Sequence, residues 1–160
     1  MSIKSFFALL CVFISCQVLP ILLSPVLEAI LRGMGISSDQ IQNMMGSSYD
    51  SVSMFLYICF FAPFFEEILF RGLILRTLQP FGNKFSILTS AYLFAIFHGN
   101  LFQTPFAFFA GLVLGYVAVN YSVGWSILLH FINNFLLGDL FSRAMELFPA
   151  AHLDIMFYVL

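Results

Sequence analysis

The sequence predicts an all-α, multi-pass transmembrane helical bundle of about five spans, with an apolar run at the C-terminus as a candidate sixth. Three observations carry this. Of the 160 residues, 61% are hydrophobic and 9% charged, where a soluble domain has about 25% charged. The 22 Phe and a mean hydropathy of +1.00 exceed what one soluble core of this length can bury. The apolar runs are continuous rather than alternating, which selects helices over a membrane β-barrel.

The first span is expected over residues 6–23, interrupted only by Ser15, Gln17 and Pro20. It is longer than a signal-peptide core and no A-x-A-like cleavage site follows, so it reads as a span. Residues 28–50 turn polar, with Gly33, Gly35, Gly46 and Ser37-Ser38-Asp39, and Ile41, Met44 and Met45 suggest a short amphipathic helix in this connector. A second helix is expected over 51–78, kinked at Pro63. Gln79-Pro80-Phe81-Gly82 then turns the chain.

The third span is expected over 85–102, with His98-Gly99-Asn100 near its far end. Thr104-Pro105 opens the fourth, which runs to Val119 and carries Gly111 and Gly115 at the GxxxG spacing that lets helix backbones approach in lipid. After a turn over 120–124, Trp125 stands as an interfacial anchor and a fifth span covers 126–137. Asp139 and Arg143 are spaced to pair on a helix end. The run from Phe148, with His152 and Asp154 as interfacial residues, is expected to be a truncated segment. The organisation is therefore 1–50, first helix and connector; 51–140, membrane core; 141–160, terminal apolar segment.

Six Lys or Arg and a net charge of −2 leave no electrostatic footprint for nucleic acid. The lipid bilayer is the expected partner. An inward N-terminus puts Lys4, Arg71, Arg76 and Lys84 on the cytosolic side and Arg32 and Arg143 outside, which the positive-inside rule favours. Cys11, Cys16 and Cys59 lie in apolar runs without CxxC spacing and are expected to be buried, reduced thiols.

Against this background Glu66, Glu67 and Arg71 stand out, because an ionisable group at membrane depth costs about 2.5–3.5 kcal/mol on insertion scales. Glu67 and Arg71 are i and i+4 and share a helix face, so Arg71 neutralises Glu67. Glu66 lies about 100° round the helix with apolar neighbours and needs a partner from another span. By helix rise, Glu66 and His98 lie about 18 and 20 Å from the ends of their helices, depths at which they can meet. His130 and Asn134, again i and i+4, lie about 8 and 14 Å from the start of theirs, a looser match.

Converged, these residues suggest hydrolysis. Glu66 takes a proton from a water oriented by His98, while His130 and Asn134 offer N–H donors to the oxyanion of a tetrahedral intermediate. No cofactor is required on this reading. Zn²⁺ or another divalent ion held by Glu66, His98 and His130 is the alternative mechanism, without an HExxH pattern. A different class also fits: a non-catalytic immunity or transport component in which the same cluster is a structural ion pair or proton relay.

The segments EEILFR, FAIFH and HFINN resemble, in order, the EExxxR, FxxxH and HxxxN/B motifs of the CAAX prenyl protease and bacteriocin-processing (CPBP) family of intramembrane proteases. The resemblance covers about residues 54–139. It implies Glu66 as the water-activating acid with His98, Glu67 with Arg71 as the supporting pair, His130 with Asn134 as oxyanion donors, and Phe94 as packing under His98. Members have been described both as metalloproteases and as metal-independent glutamate proteases. The implied substrate is a membrane-embedded or lipidated peptide or protein. Eukaryotic members trim prenylated CAAX proteins, and bacterial relatives are linked to bacteriocin maturation or self-immunity. The short chain looks like the bacterial kind, placed in the inner membrane.

Overall fold

The computed structural model describes residues 1–37, 40 and 52–136. Helix α1 spans Ile3–Ser15, α2 Val18–Gly33, α3 Val52–Phe81, α4 Asn83–Phe97, α5 Thr104–Asn120 and α6 Val123–Asn133. No strand occurs among the described residues. The amphipathic helix expected around Ile41, Met44 and Met45, the Asp139–Arg143 pair, and the terminal run with His152, Asp154 and the candidate sixth span lie outside them.

The first expected span is longer and divided. Ser2 caps α1 by accepting from the Ser5 amide, and a two-residue break at Cys16–Gln17 separates it from α2. Pro20 explains the break, since it has no N–H to return to the carbonyl of Cys16. Helix α2 continues to Gly33, so residues 28–33 of the expected connector are helical, with Glu28 and Arg32 paired at 3.4 Å. Taken together, Ile3–Gly33 and Val52–Phe81 are long and apolar enough to cross a membrane.

Helix α3 is one 30-residue rod of mixed winding. Two π-helical segments, Tyr57–Phe61 and Ile68–Ile74, flank a short α-helical stretch, Ala62–Glu67, that carries both glutamates. The expected Pro63 kink is a π segment instead. Pro63 cannot donate to Cys59, and the ladder widens so that the Ala62 amide reaches the carbonyl of Tyr57. The Phe70 carbonyl in the second segment takes the Leu75 amide and the Ser90 hydroxyl, the latter at 2.8 Å.

Gly82, at φ 113°, turns the chain into α4. That helix stops at Phe97, five residues short of expectation, because Gly99 adopts φ 62° and its amide closes on Ile96. At 15 residues α4 rises only about 22 Å, less than a hydrocarbon core of about 30 Å. Helices α5 and α6 are also shorter than a full span, the latter continuing to Leu136. Ser122 starts α6 three residues early by accepting from the Trp125 amide at 3.3 Å.

Helix α5 is the centre of the bundle. It is apolar on all faces and buries Ala107, Ala110, Gly111, Leu114, Gly115, Val117 and Ala118 against α1, α4 and α6. A Cβ at Gly111 would lie 3.0 Å from the Cα of Ala91, so α4 and α5 touch backbone to backbone there. Phe6, Phe13, Leu114, Val117 and Leu129 pack together as one core cluster with Ala110. Large apolar side chains such as Phe65, Leu73, Phe81, Tyr92 and Phe97 are left on the outer surface, where water would be a poor solvent and lipid a good one. Of the three free cysteines only Cys59 is buried; Cys16 is half-buried and Cys11 is exposed, against the expectation that all three are buried.

Candidate active site

The α-helical turn at the end of Ala62–Glu67 sends the two glutamates in different directions. Glu67 points into the bundle, fully buried, and so does Arg71 one turn on. Arg71 Nη1 lies 2.9 Å from Glu67 Oε1, an ion pair whose N–H is not in line with the oxygen. Its Nη2 donates to the Gly111 carbonyl at 3.3 Å, and the guanidinium sits 4.2 Å over the Phe94 ring. Two more groups converge on Glu67. His130 Nδ1–H donates to Oε1 at 3.0 Å, and the Ser126 hydroxyl donates to Oε2. Ser126 also lies 3.1 Å from the Leu114 carbonyl, but its one proton goes preferentially to the charged oxygen.

The bond to Glu67 sets the state of His130. A carboxylate can only accept, so Nδ1 carries the hydrogen, and in the neutral ring Nε2 is a lone pair. That lone pair faces Glu66, with Nε2 and Oε2 3.8 Å apart. In that form the ring meets Glu66 as an acceptor, and the protonated ring would present the N–H donor expected from the sequence. Glu66 itself is the wetter acid, with 19% of its side chain exposed.

His98 follows the same rule. As the C-cap of α4 it folds back so that Nδ1–H donates to the Phe94 carbonyl at 2.8 Å, one of the carbonyls that a helix end leaves without an amide. Its free nitrogen is again Nε2. The buried Phe94 ring stands edge-on to both imidazoles, with centroids 4.6 Å from His98 and 5.7 Å from His130. The expected packing of Phe94 under His98 is thus present, and the ring holds Arg71 and His130 as well.

Asn134 caps α6 and ties it to α3. Its amide donates to the Ile58 carbonyl at 3.0 Å, inside the first π segment, and its oxygen accepts from Asn133 at 3.2 Å. Asn133 in turn accepts from Gln17 at 3.5 Å, which brings the break between α1 and α2 to the edge of the site.

Glu66, His98, His130 and Asn134 all line one cavity of about 230 Å³, whose apolar walls include Phe13, Phe94, Phe106 and Leu114. Glu67 and Arg71 stand behind it. The structure therefore gathers the four residues singled out from the sequence around one cavity. Among the described residues, no three His, Cys, Asp or Glu side chains are grouped to hold a metal ion. Glu66, His98 and His130 share one wall of the cavity.

Sequence reasoning missed Ser126, Gly111, Phe13 and Gln103. Ser126 had a signal, standing four residues before His130 on the same helix face. Gly111 was read as packing alone, but its carbonyl also receives Arg71. Phe13 reaches the cavity from a helix with no motif at all.

A family model described as type II CAAX prenyl endopeptidase Rce1-like matches residues 48–136, more than half of the chain. No curated protein and no solved structure matches it. The matched region contains the three motifs in α3, α4 and α6 and every polar side chain that lines the cavity. The chain belongs to the type II CAAX prenyl endopeptidase Rce1-like family, within the CPBP group that its motifs resemble.

Proposed function

We propose that the protein is a multi-pass membrane endopeptidase that cleaves a peptide bond of a lipidated or membrane-embedded substrate with a water activated by Glu66. The observation that carries this reading is the 3.8 Å separation of Glu66 Oε2 and His130 Nε2 on the wall of the cavity. Two acceptors at that separation are too far apart to bond directly and are spaced for a water that donates one O–H to each. The water keeps its lone pairs for a substrate carbonyl.

In the reaction Glu66 takes a proton as the water oxygen bonds to the carbonyl carbon. His130 holds the second O–H, and Glu67 keeps His130 in the tautomer that can do so. The carbonyl oxygen gathers negative charge and receives the N–H that Asn134 has left after its bond to Ile58. The C–N bond then breaks, and His98 carries the proton from Glu66 to the departing amine. No resident metal takes part on this reading. The apolar walls suit the hydrophobic residues that flank a scissile bond in a membrane-associated chain, of the CAAX or bacteriocin-precursor type.

Replacing Glu66 by Gln keeps shape and removes the base. The variant should lose about 10²–10⁴-fold in cleavage of a prenylated CAAX peptide in detergent micelles, with an unchanged thermal unfolding midpoint. Cleavage at the wild-type rate would leave the cluster as structural, the role it has in an immunity or transport component.

A further inference from the structure

The polar groups of the cavity are unbalanced. Glu66 contributes carboxylate oxygens, and in their neutral forms His98 and His130 each contribute a lone pair at Nε2, because both Nδ1–H groups are already engaged. Acceptors suit a water that must lose a proton. They do not suit the oxyanion that forms next, and Asn134 has one N–H left to offer.

We propose that Gln103 is the second oxyanion donor, its side-chain amide hydrogen-bonding the substrate carbonyl oxygen as that oxygen becomes negative; this rests on the hydrolytic reading above. Gln103 lines the cavity and is partly buried. It occupies the N-cap of α5, where Ser, Thr, Asp or Asn would bond the helix amides, yet its side chain makes no capping bond. Among the described residues nothing hydrogen-bonds that side-chain amide. Its backbone, by contrast, is fixed. The Gln103 amide donates to both the carbonyl and Oδ1 of Asn100, at 3.2 and 3.4 Å, and the adjoining Phe102 is buried against Leu31. A braced turn thus holds an unused donor at the cavity wall, which is what a preorganised oxyanion site needs. Tyr57, which also lines the cavity, is 58% exposed and its hydroxyl is open to competing partners.

The test compares wild type, Glu66→Gln, Gln103→Leu and Gln103→Glu on one prenylated CAAX peptide. Gln103→Leu should lower kcat by about 10²-fold with KM little changed, the loss expected for one oxyanion donor. Gln103→Glu, nearly isosteric but an acceptor, should lose at least as much. The inhibition constant of a peptidyl trifluoromethyl ketone, whose hydrate carries the oxyanion, should rise in parallel with the fall in kcat/KM across the Gln103 variants. A merely structural role would not produce that parallel. Unchanged kcat in both Gln103 variants, or a rise in KM alone, overturns the assignment while inactive Glu66→Gln leaves the hydrolytic reading standing. Active Glu66→Gln overturns both.

Discussion

His130 Nδ1 and Glu67 Oε1 are joined by a 3.0 Å hydrogen bond, and the same oxygen is the one that Arg71 approaches to 2.9 Å. A single buried carboxylate thereby neutralises a cation from its own helix and orients a ring from another. Its second oxygen is taken by Ser126. Both oxygens of Glu67 are thus engaged, and the proposed hydrolysis assigns proton acceptance to Glu66 instead.

Removing that carboxylate should be felt throughout the bundle. Glu67→Ala leaves the Arg71 guanidinium buried without a counter-charge and is expected to destabilise the protein by about 3–5 kcal/mol. Thermal unfolding in detergent reads this out, and a wild-type midpoint would contradict it. The double variant Glu67→Ala with Arg71→Met should recover much of the loss, because the charge is then absent from both sides.

Ser126→Ala deletes one donor and nothing else of size. The expected cost is about 1.5–3 kcal/mol for a bond to a charged group, with cleavage retained because His130 keeps its Nδ1 partner. Loss of cleavage at full stability would instead give Ser126 a direct chemical role.

Gly111 and Gly115 should not respond alike to a methyl group. At Gly111 the new Cβ meets the Ala91 backbone at 3.0 Å, whereas at Gly115 it meets the terminal Cγ2 of Ile87 at 3.1 Å. A side-chain tip can turn aside and a backbone cannot. Gly111→Ala is expected to cost about 1–3 kcal/mol and to weaken cleavage by displacing Arg71, with Gly115→Ala the milder of the two. The reverse order in unfolding midpoints would refute the close α4–α5 contact.

Metal removal discriminates the two water-activating mechanisms. Dialysis against a chelator should leave the cleavage rate unchanged, and protein purified without chelator should hold no stoichiometric zinc. Zinc bound one per chain and lost in His98→Ala would establish the metal mechanism instead.

The helices were legible from hydropathy because each apolar run is bounded by Gly, Pro or a capping Ser. Their ends were less so. The early stop at Phe97 depends on a left-handed Gly99 that an apolar window passes over, and the continuation of α2 to Gly33 depends on an amphipathic turn that looked like a polar loop. Of the site, the i,i+4 pair of Glu67 and Arg71 was readable because both partners share a helix. The state of His130 was not, since it is set by which nitrogen faces Glu67 across 63 positions of sequence. Gln103 gave no signal either, because an amide becomes informative only when its surroundings show it to be unused.

The two π segments of α3 bear on how this chain tolerates change. Because Tyr57–Phe61 and Ile68–Ile74 are wound differently from the stretch between them, the acids are phased independently of both ends of their own helix. A wide turn holds one more residue than an α-turn, so deleting one residue from Tyr57–Phe61 would let that segment return to regular winding while the acids keep their phase. Deleting one of residues 62–65 has no wide turn to absorb it and would turn the acids by about 100° relative to the start of the rod, pointing Glu66 away from His130. In this helix the π segment marks where chain length can change, and the stretch beside it where it cannot.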